Sequence, residues 1–136
     1  MTKEETVDSS MKPRWAISSD WFVQNNRSIT ALLKNYLCPE CAKKFNSAEK
    51  ESSPESLMDT VNSCCSHLPG FINEKTPLLE GMFRFFLSNG NTPVTIEELS
   101  EHLNRVRGGN AYLNSPETLL RLLKADMYYG LQEIES

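Results

Sequence analysis

The stretch YLCPECAKKF, residues 36–45, places Cys38 and Cys41 in a C-x-x-C turn, and the stretch CCSH, residues 64–67, follows after 22 intervening residues. A C-x-x-C turn lets two thiolates converge on one ion while nearby backbone amides face the sulfurs. Zinc prefers tetrahedral sulfur and imidazole ligands, and a structural site needs two more of them. The spacing therefore predicts one zinc site that is closed by two distant pieces of chain.

The second half of this site has three candidates in four positions. If a helix continues through the stretch, Cys64 and His67 share a face, whereas Cys64 and Cys65 point about 100° apart. Cys38, Cys41, Cys64 and His67 are therefore the expected ligands, with Cys65 as the alternate. If the helix has already ended there, the second pair of ligands can be Cys64 with Cys65, or Cys65 with His67. A site of four thiolates would account for every cysteine.

Other interpretations of the cysteines are a buried role, a redox role and a catalytic zinc. Cysteine is often a small buried apolar residue, and Cys64 continues an apolar stripe with Leu57, Val61 and Leu68. A redox C-x-x-C needs a strand before it, but a helix is expected there. A catalytic zinc would keep an open position beside a general base, for which Glu40 is the nearest acid. We expect a structural zinc, because the candidate ligands are rich in thiolates and the chain has only two histidines. No catalytic residues are expected, because the sequence lacks a phosphate-binding glycine loop and a nucleophile elbow.

The size and composition of the chain predict one compact domain. It has 136 residues, of which 39% are apolar, enough for a single core. The first residues have little to bury, so we expect residues 1–14 to form a flexible tail. The N-terminus has no signal-peptide pattern and no apolar run is long enough to cross a bilayer, which predicts a cytoplasmic protein without membrane association.

The segment of residues 15–75 is expected to be helical and to bind the zinc ion. The stretch DWFVQNNRSITALLKNYL has an apolar stripe at helical spacing, and Ser28 can cap a new start, so it forms one helix or two short ones. A further helix is expected from Pro54, since Ser53 can cap it and proline fits a first turn.

Three capped helices are expected from Thr76 onward. Thr76 precedes a proline, Thr95 and Glu98 have capping-box spacing, and Ser115 precedes another proline. Apolar residues at helical intervals predict a seam in which the three helices meet. Its expected members are Phe83, Phe86, Leu99, Leu103, Leu119 and Leu122. The predicted fold class is mainly α, with a zinc-clipped N-terminal segment and a three-helix C-terminal unit.

The unit of residues 76–136 resembles helix-turn-helix proteins of the winged-helix type through the stretches TPVTIEELSEHLNRV and SPETLLRLLKADMYYGLQ. In that family the third helix often enters the DNA major groove, and a following hairpin touches the backbone. Here at most one short strand can follow Gly130. The resemblance implies that the nucleic-acid contacts would be the cations of the turn and the third helix, which are Arg105, Arg107, Arg121 and Lys124.

The charge distribution lowers the expectation of DNA binding. The net charge of -4 divides into +2 for residues 1–50, -3 for residues 51–75 and -3 for residues 76–136. The expected third helix balances two basic residues with two acids. Few phosphates can be neutralised by such a surface, so nucleic-acid binding is expected to be weak.

A non-enzymatic binding or regulatory module that acts through protein contacts is therefore the favoured function. Its exposed candidate residues are Met127, Tyr128 and Tyr129. The alternative is a DNA-binding transcriptional regulator of the winged-helix type, and a zinc hydrolase is a weaker alternative.

Overall fold

The computed structural model describes residues 12–47, 53–107 and 114–134. Within these residues the fold consists of seven α-helices, one 3-10 turn and a three-stranded sheet, so the prediction of a mainly helical fold is confirmed. In chain order the elements are β1 (Arg14–Ile17), α1 (Ser19–Gln24), α2 (Ile29–Lys34), α3 (Pro39–Ser47), α4 (Pro54–Ser63), the 3-10 turn (Cys65–His67), α5 (Leu78–Ser88), β2 (Val94–Thr95), α6 (Ile96–Arg107), α7 (Pro116–Ala125) and β3 (Leu131–Ile134).

The N-terminal strand β1 is the centre of the sheet, whose order is β2-β1-β3 with both pairings antiparallel. Trp15 lies opposite Val94 on one side and Glu133 on the other. The flexible tail was predicted for residues 1–14, of which 1–11 lie outside the described residues, but Arg14 already belongs to β1. The N-terminal segment therefore shares its sheet with the C-terminal unit.

Two short helices precede the C-x-x-C turn. The Ser18 side chain accepts a hydrogen bond from the Trp21 backbone N–H at 3.3 Å, and Ser28 accepts one from the Ala31 N–H at 3.0 Å. Between the two helices Asn26 has a φ of 55°, in the left-handed region, which a continuous helix does not contain. The alternative of two helices, with Ser28 capping the second, is therefore confirmed.

Three of the predicted caps are confirmed. Ser53 accepts from the Ser56 backbone N–H at 3.0 Å, and Ser115 caps α7 in the same way. Thr95 and Glu98 form a reciprocal capping box, with backbone-to-side-chain bonds of 2.8 and 3.2 Å. These caps satisfy backbone N–H groups that have no partner inside the helix.

The predicted cap at Thr76 is wrong. Its hydroxyl accepts a hydrogen bond from the Asn73 backbone N–H at 3.0 Å, so it closes the preceding turn. Helix α5 begins after Pro77 without a side-chain cap, and it is stabilised by burial of its apolar face.

The apolar faces of α5, α6 and α7 meet in the core together with side chains from the N-terminal helices. Five members of the predicted seam are fully buried, and they are Phe83, Phe86, Leu99, Leu103 and Leu119. The sixth, Leu122, is only partly buried, and the next residue, Leu123, is buried in its place. The face of α7 is thus rotated by about one residue from the predicted one.

A buried carboxylate fixes the turn between α7 and β3. Asp126 accepts hydrogen bonds from the backbone N–H groups of Tyr128, Tyr129 and Leu131, each at 2.9 Å. An ionised carboxylate is a strong acceptor for several N–H groups at once, so this side chain determines the path of the turn.

Candidate metal centre

The four cysteine thiols meet at one place in the fold. The Sγ atoms of Cys38, Cys41, Cys64 and Cys65 all lie within 4.8 Å of one another. The Cys41 thiol is 3.6 Å from the Cys64 sulfur. Among the described residues this group contains no histidine and no carboxylate. Four sulfurs at this separation are compatible with one metal ion bound between them.

The start of helix α3 positions the first two thiols. Cys38 directly precedes Pro39, the first residue of the helix, and the Ala42 backbone N–H bonds to the Cys38 carbonyl at 2.8 Å. The Cys38 backbone N–H donates to the Cys65 sulfur at 3.0 Å. Such N–H···S hydrogen bonds orient thiolate ligands and spread their negative charge.

The end of helix α4 positions the other two thiols. The helix stops at Ser63, and Cys64 has φ -127° and ψ -67°, so the chain leaves helical geometry before the 3-10 turn begins. Cys65 is buried, whereas Cys64 is exposed, and both reach the cluster. Two adjacent cysteines can point toward one ion because the backbone between them is not helical.

The observed set differs from the expected ligand set in one member, since Cys65 takes the place of His67. His67 is exposed at the end of the 3-10 turn and is not part of the cluster. The expectation assumed that α4 continued to residue 67, which would have placed Cys64 and His67 on one face. The same assumption placed Cys64 in the core, where Cys65 lies instead.

Among the thiols, the pKa of Cys38 is shifted in one direction and the pKa values of Cys41 and Cys65 in the other. Hydrogen bonding from the Cys41 backbone N–H, and then from the Cys65 side chain, lowers the pKa of Cys38 to about 7. Burial raises the pKa of Cys41 to about 12 and also raises the pKa of Cys65. At neutral pH the metal-free cluster therefore holds protons that a metal must displace.

The first part of helix α3, residues 39–44, meets the rest of the fold at this cluster. Of these side chains only Cys41 is buried, and Ala42 is partly buried. The others are exposed, namely Pro39, Glu40, Lys43 and Lys44. Within residues 39–44 the buried contact of α3 is therefore made by a thiol.

Two of the cations predicted to contact nucleic acid are engaged within the protein. The Arg107 guanidinium donates to the Thr76 carbonyl at 3.2 Å and to the Asn114 side chain, and so it ties α6 to the chain before α5 and α7. Arg105 is exposed and pairs with Glu101 on the same helix, with an N···O distance of 3.0 Å. Arg107 therefore has a structural role, and the charge of Arg105 is partly offset.

The other two predicted cations, Arg121 and Lys124, are exposed on α7, where Glu117 is also exposed. The described surface of this helix therefore carries both signs of charge.

A further arrangement was not indicated by the sequence. The guanidinium carbon of Arg27 lies 5.9 Å from the centre of the Trp21 ring and 5.6 Å from the centre of the Tyr128 ring. Tyr128 is remote from the other two in sequence, so no local pattern could have indicated this contact.

Comparison with protein-family models, curated proteins and solved structures gives no match for this chain. In the part of the chain that the structure describes, every helix is too short or too polar to span a bilayer. The function is therefore argued from the geometry of the thiol cluster and of the surface.

Proposed function

We propose that this protein is a non-enzymatic binding module whose N-terminal helices are held by a structural zinc ion, and that it acts through contacts with a protein partner. The observation that carries the proposal is the convergence of four thiols, from two segments of the chain, to within 4.8 Å. Zinc commonly takes four thiolates in structural sites. Four protein ligands would complete a tetrahedral coordination sphere and leave no position for a reacting water, which favours a structural role over hydrolysis.

The zinc ion would join the start of α3 to the end of α4. Cys41 is the one buried side chain among residues 39–44, so the metal would hold this part of α3 at its point of contact with the core. Because the metal would bind the folded site and not the unfolded chain, the free energy of binding would add to the stability of the fold. A cytoplasmic location would suit this role, because thiols stay reduced there and available for the metal.

Metal content in matched variants tests the zinc site and its ligands. We expect about one zinc per purified chain, as four thiolates form one structural site. Cys65→Ser should abolish stoichiometric zinc, whereas His67→Ala should retain it. Zinc loss in His67→Ala but not in Cys65→Ser would contradict the ligand set. A metal-free protein whose melting temperature is the same with and without chelator would contradict the site altogether.

The pH dependence of zinc affinity provides a second test. The pKa values of Cys41 and Cys65 are raised by burial, so both thiols are protonated in the metal-free protein at neutral pH. Zinc displaces these protons, and lowering the pH makes the displacement harder. Each displaced proton should reduce the apparent zinc affinity about tenfold per pH unit. Competition with a chromophoric chelator between about pH 8 and pH 6 measures this slope, and a flat profile would exclude thiolate ligation.

A DNA-binding regulator of the winged-helix type is the second candidate, and the exposed Arg121 and Lys124 on α7 support it. With two to four phosphate contacts at most, binding to generic duplex DNA should be weak, with a slope of roughly -2 to -4 in log K against log salt. Fluorescence anisotropy at two salt concentrations measures this. Submicromolar binding at physiological salt that is lost in the double variant Arg121→Ala, Lys124→Ala would favour DNA binding over protein binding as the function.

A further inference from the structure

Aromatic, apolar and cationic side chains form a surface at α1 and at the turn after α7. We call this surface the Arg27 face, and it consists of Arg27, the Trp21 and Tyr128 rings that its guanidinium contacts, and Met127, which precedes Tyr128 in the turn. The Arg27 guanidinium lies within 6 Å of the Trp21 and Tyr128 rings, at 5.9 and 5.6 Å from their centres. These contacts join an N-terminal helix to the C-terminal turn and hold the cation at a defined place.

The turn that carries Met127 and Tyr128 is firmly held. The buried Asp126 side chain accepts a hydrogen bond from the backbone N–H of Tyr128, which holds the turn in its conformation. Gly130 has a φ of +66° and lies so close to Phe22 that an added Cβ would be 2.4 Å from the aromatic ring. The exposed side chains of this turn are thus displayed by a backbone that has little room to move.

The apolar exposure of this face is large. The exposed fractions are 67% for Met127 and 48% for Tyr128. Two of the five large apolar side chains that are exposed in the described chain therefore belong to the Arg27 face. Apolar groups held in water at fixed positions are typical of surfaces that bind another macromolecule.

The charge of this region fits an acidic partner. Among the described residues, no carboxylate lies within salt-bridge distance of Arg27. A guanidinium that lies over aromatic rings still presents N–H groups for a carboxylate. Residues 12–47 carry six Lys or Arg and two Asp or Glu, whereas the other described residues carry six and ten. Arg27 itself therefore belongs to the basic segment of an acidic protein, while Met127 and Tyr128 are supplied by the C-terminal turn.

A cavity beside Arg27 offers room for one large side chain. Its volume is about 220 Å³, and it is lined by residues of α1 and α2, by the polar residues Ser28 and Asn35 at the two ends of α2, and by Tyr128. The lining is apolar at Phe22, Ala31 and Leu32, with Arg27 among the lining residues. An apolar side chain and a neighbouring carboxylate could therefore be bound together.

We propose that the Arg27 face binds a protein segment in which an acidic residue lies next to a large apolar residue. The carboxylate pairs with Arg27, and the apolar side chain enters the cavity beside Tyr128. This inference rests on the proposed protein-binding function and gives the chemistry of the partner. Nucleic acid fits the face less well, because a phosphate backbone offers no apolar complement to Met127 and to the apolar lining of the cavity.

Two synthetic peptide libraries test the proposal on the full-length protein. They have the same apolar content, and one places Asp or Glu beside a large apolar residue while the other places Lys or Arg there. We expect the acidic library alone to yield binders, which shift the NMR signals of Arg27, Ala31 and Tyr128. Arg27→Gln should weaken these binders about tenfold or more, because it removes a charge-assisted hydrogen bond. Arg121→Gln, with the same charge change on α7, should leave their affinity unchanged.

Several outcomes would overturn the proposal. They are equal enrichment of the basic library, no enrichment of either library, and binders whose affinity is the same for a folded Arg27→Gln variant. Binding of a generic duplex DNA that requires Arg27 would favour nucleic acid and also overturn it. Zinc content measured on the same sample separates the two claims. A zinc-loaded protein that selects no acidic peptides refutes this inference alone, and a metal-free protein that selects them refutes the zinc site alone.

Discussion

Helices α3 and α5 are similar in length, with nine and eleven residues, but they are held in the fold in opposite ways. Helix α5 buries six residues against the core. Helix α3, over its described side chains at residues 39–44, buries only Cys41, and that residue belongs to the thiol cluster. Apolar burial is thus extensive for α5, whereas residues 39–44 of α3 contact the core through a thiol. The two regions should therefore respond to different perturbations.

Truncation of the core around α5 should have the largest effect. Leu103 of α6 is fully buried among the residues that pack on α5. Leu103→Ala should lower the free energy of unfolding by about 2 to 5 kcal/mol, since it removes buried apolar surface and leaves a cavity. Urea denaturation measures this change. The control is Val106→Ala on the same helix, whose side chain is exposed and should have a much smaller effect.

Removal of the metal should act on α3 and spare α5. With free zinc at about 100 times its dissociation constant, chelation removes about 2.7 kcal/mol of stabilisation from the metal-bound state. Hydrogen exchange should show loss of amide protection in α3 and in the 3-10 turn, while α5, α6 and α7 stay protected. Equal loss of protection in α5 would show that the core also depends on the cluster.

Loss of the Asp126 carboxylate should have a smaller effect and should be confined to the turn after α7. Asp126→Ala leaves three backbone N–H groups without their acceptor and should cost about 1 to 3 kcal/mol. Asp126→Asn should recover part of the lost stability, because its side-chain oxygen can still accept hydrogen bonds. The recovery is incomplete, because the amide NH₂ group replaces the second acceptor and faces a backbone N–H. Thermal denaturation measures both, with Glu117→Ala on exposed α7 surface as the control. An Asp126→Ala variant as stable as that control would contradict the role of the carboxylate.

The smallest effects concern the two arginines at the end of α6. Arg107 is hydrogen-bonded across three segments, whereas Arg105 makes an exposed ion pair within its own helix. Arg107→Ala should cost on the order of 1 kcal/mol, and Arg105→Ala should cost less than about 0.5 kcal/mol. Chemical denaturation of the two variants side by side measures the difference. A larger loss of stability for Arg105→Ala than for Arg107→Ala would contradict the structural role of Arg107.

Local signals in the sequence predicted much of this fold. Ser53, Ser115 and the pair of Thr95 with Glu98 each determine a helix start through bonds to residues three positions away, so their effect is visible in a short window. The C-x-x-C turn likewise predicted half of the thiol cluster. The other half depended on where α4 ends, and no strong stop signal marks Ser63.

Features that depend on distant contacts could not be predicted. Strand β1 has only four residues, and its pairing partners are about 80 residues away in β2 and near the other end of the described chain in β3. The contacts of Arg27 with the Trp21 and Tyr128 rings likewise depend on residues that are far apart in the sequence. Even the choice between Leu122 and Leu123 as the buried residue of α7 is decided by tertiary packing rather than by the apolar periodicity.

The central position of β1 has a consequence for synthesis on the ribosome. Arg14 lies opposite Ile134, so this strand leaves the ribosome about 120 residues before its neighbour in β3 is made. Closing so long a loop is slow, and pairing of this kind forms late in folding. Until then one edge of β1 has free backbone groups, and Trp15 and Ile17 are only partly enclosed. We therefore expect the nascent chain, rather than the finished protein, to be the form most prone to aggregation.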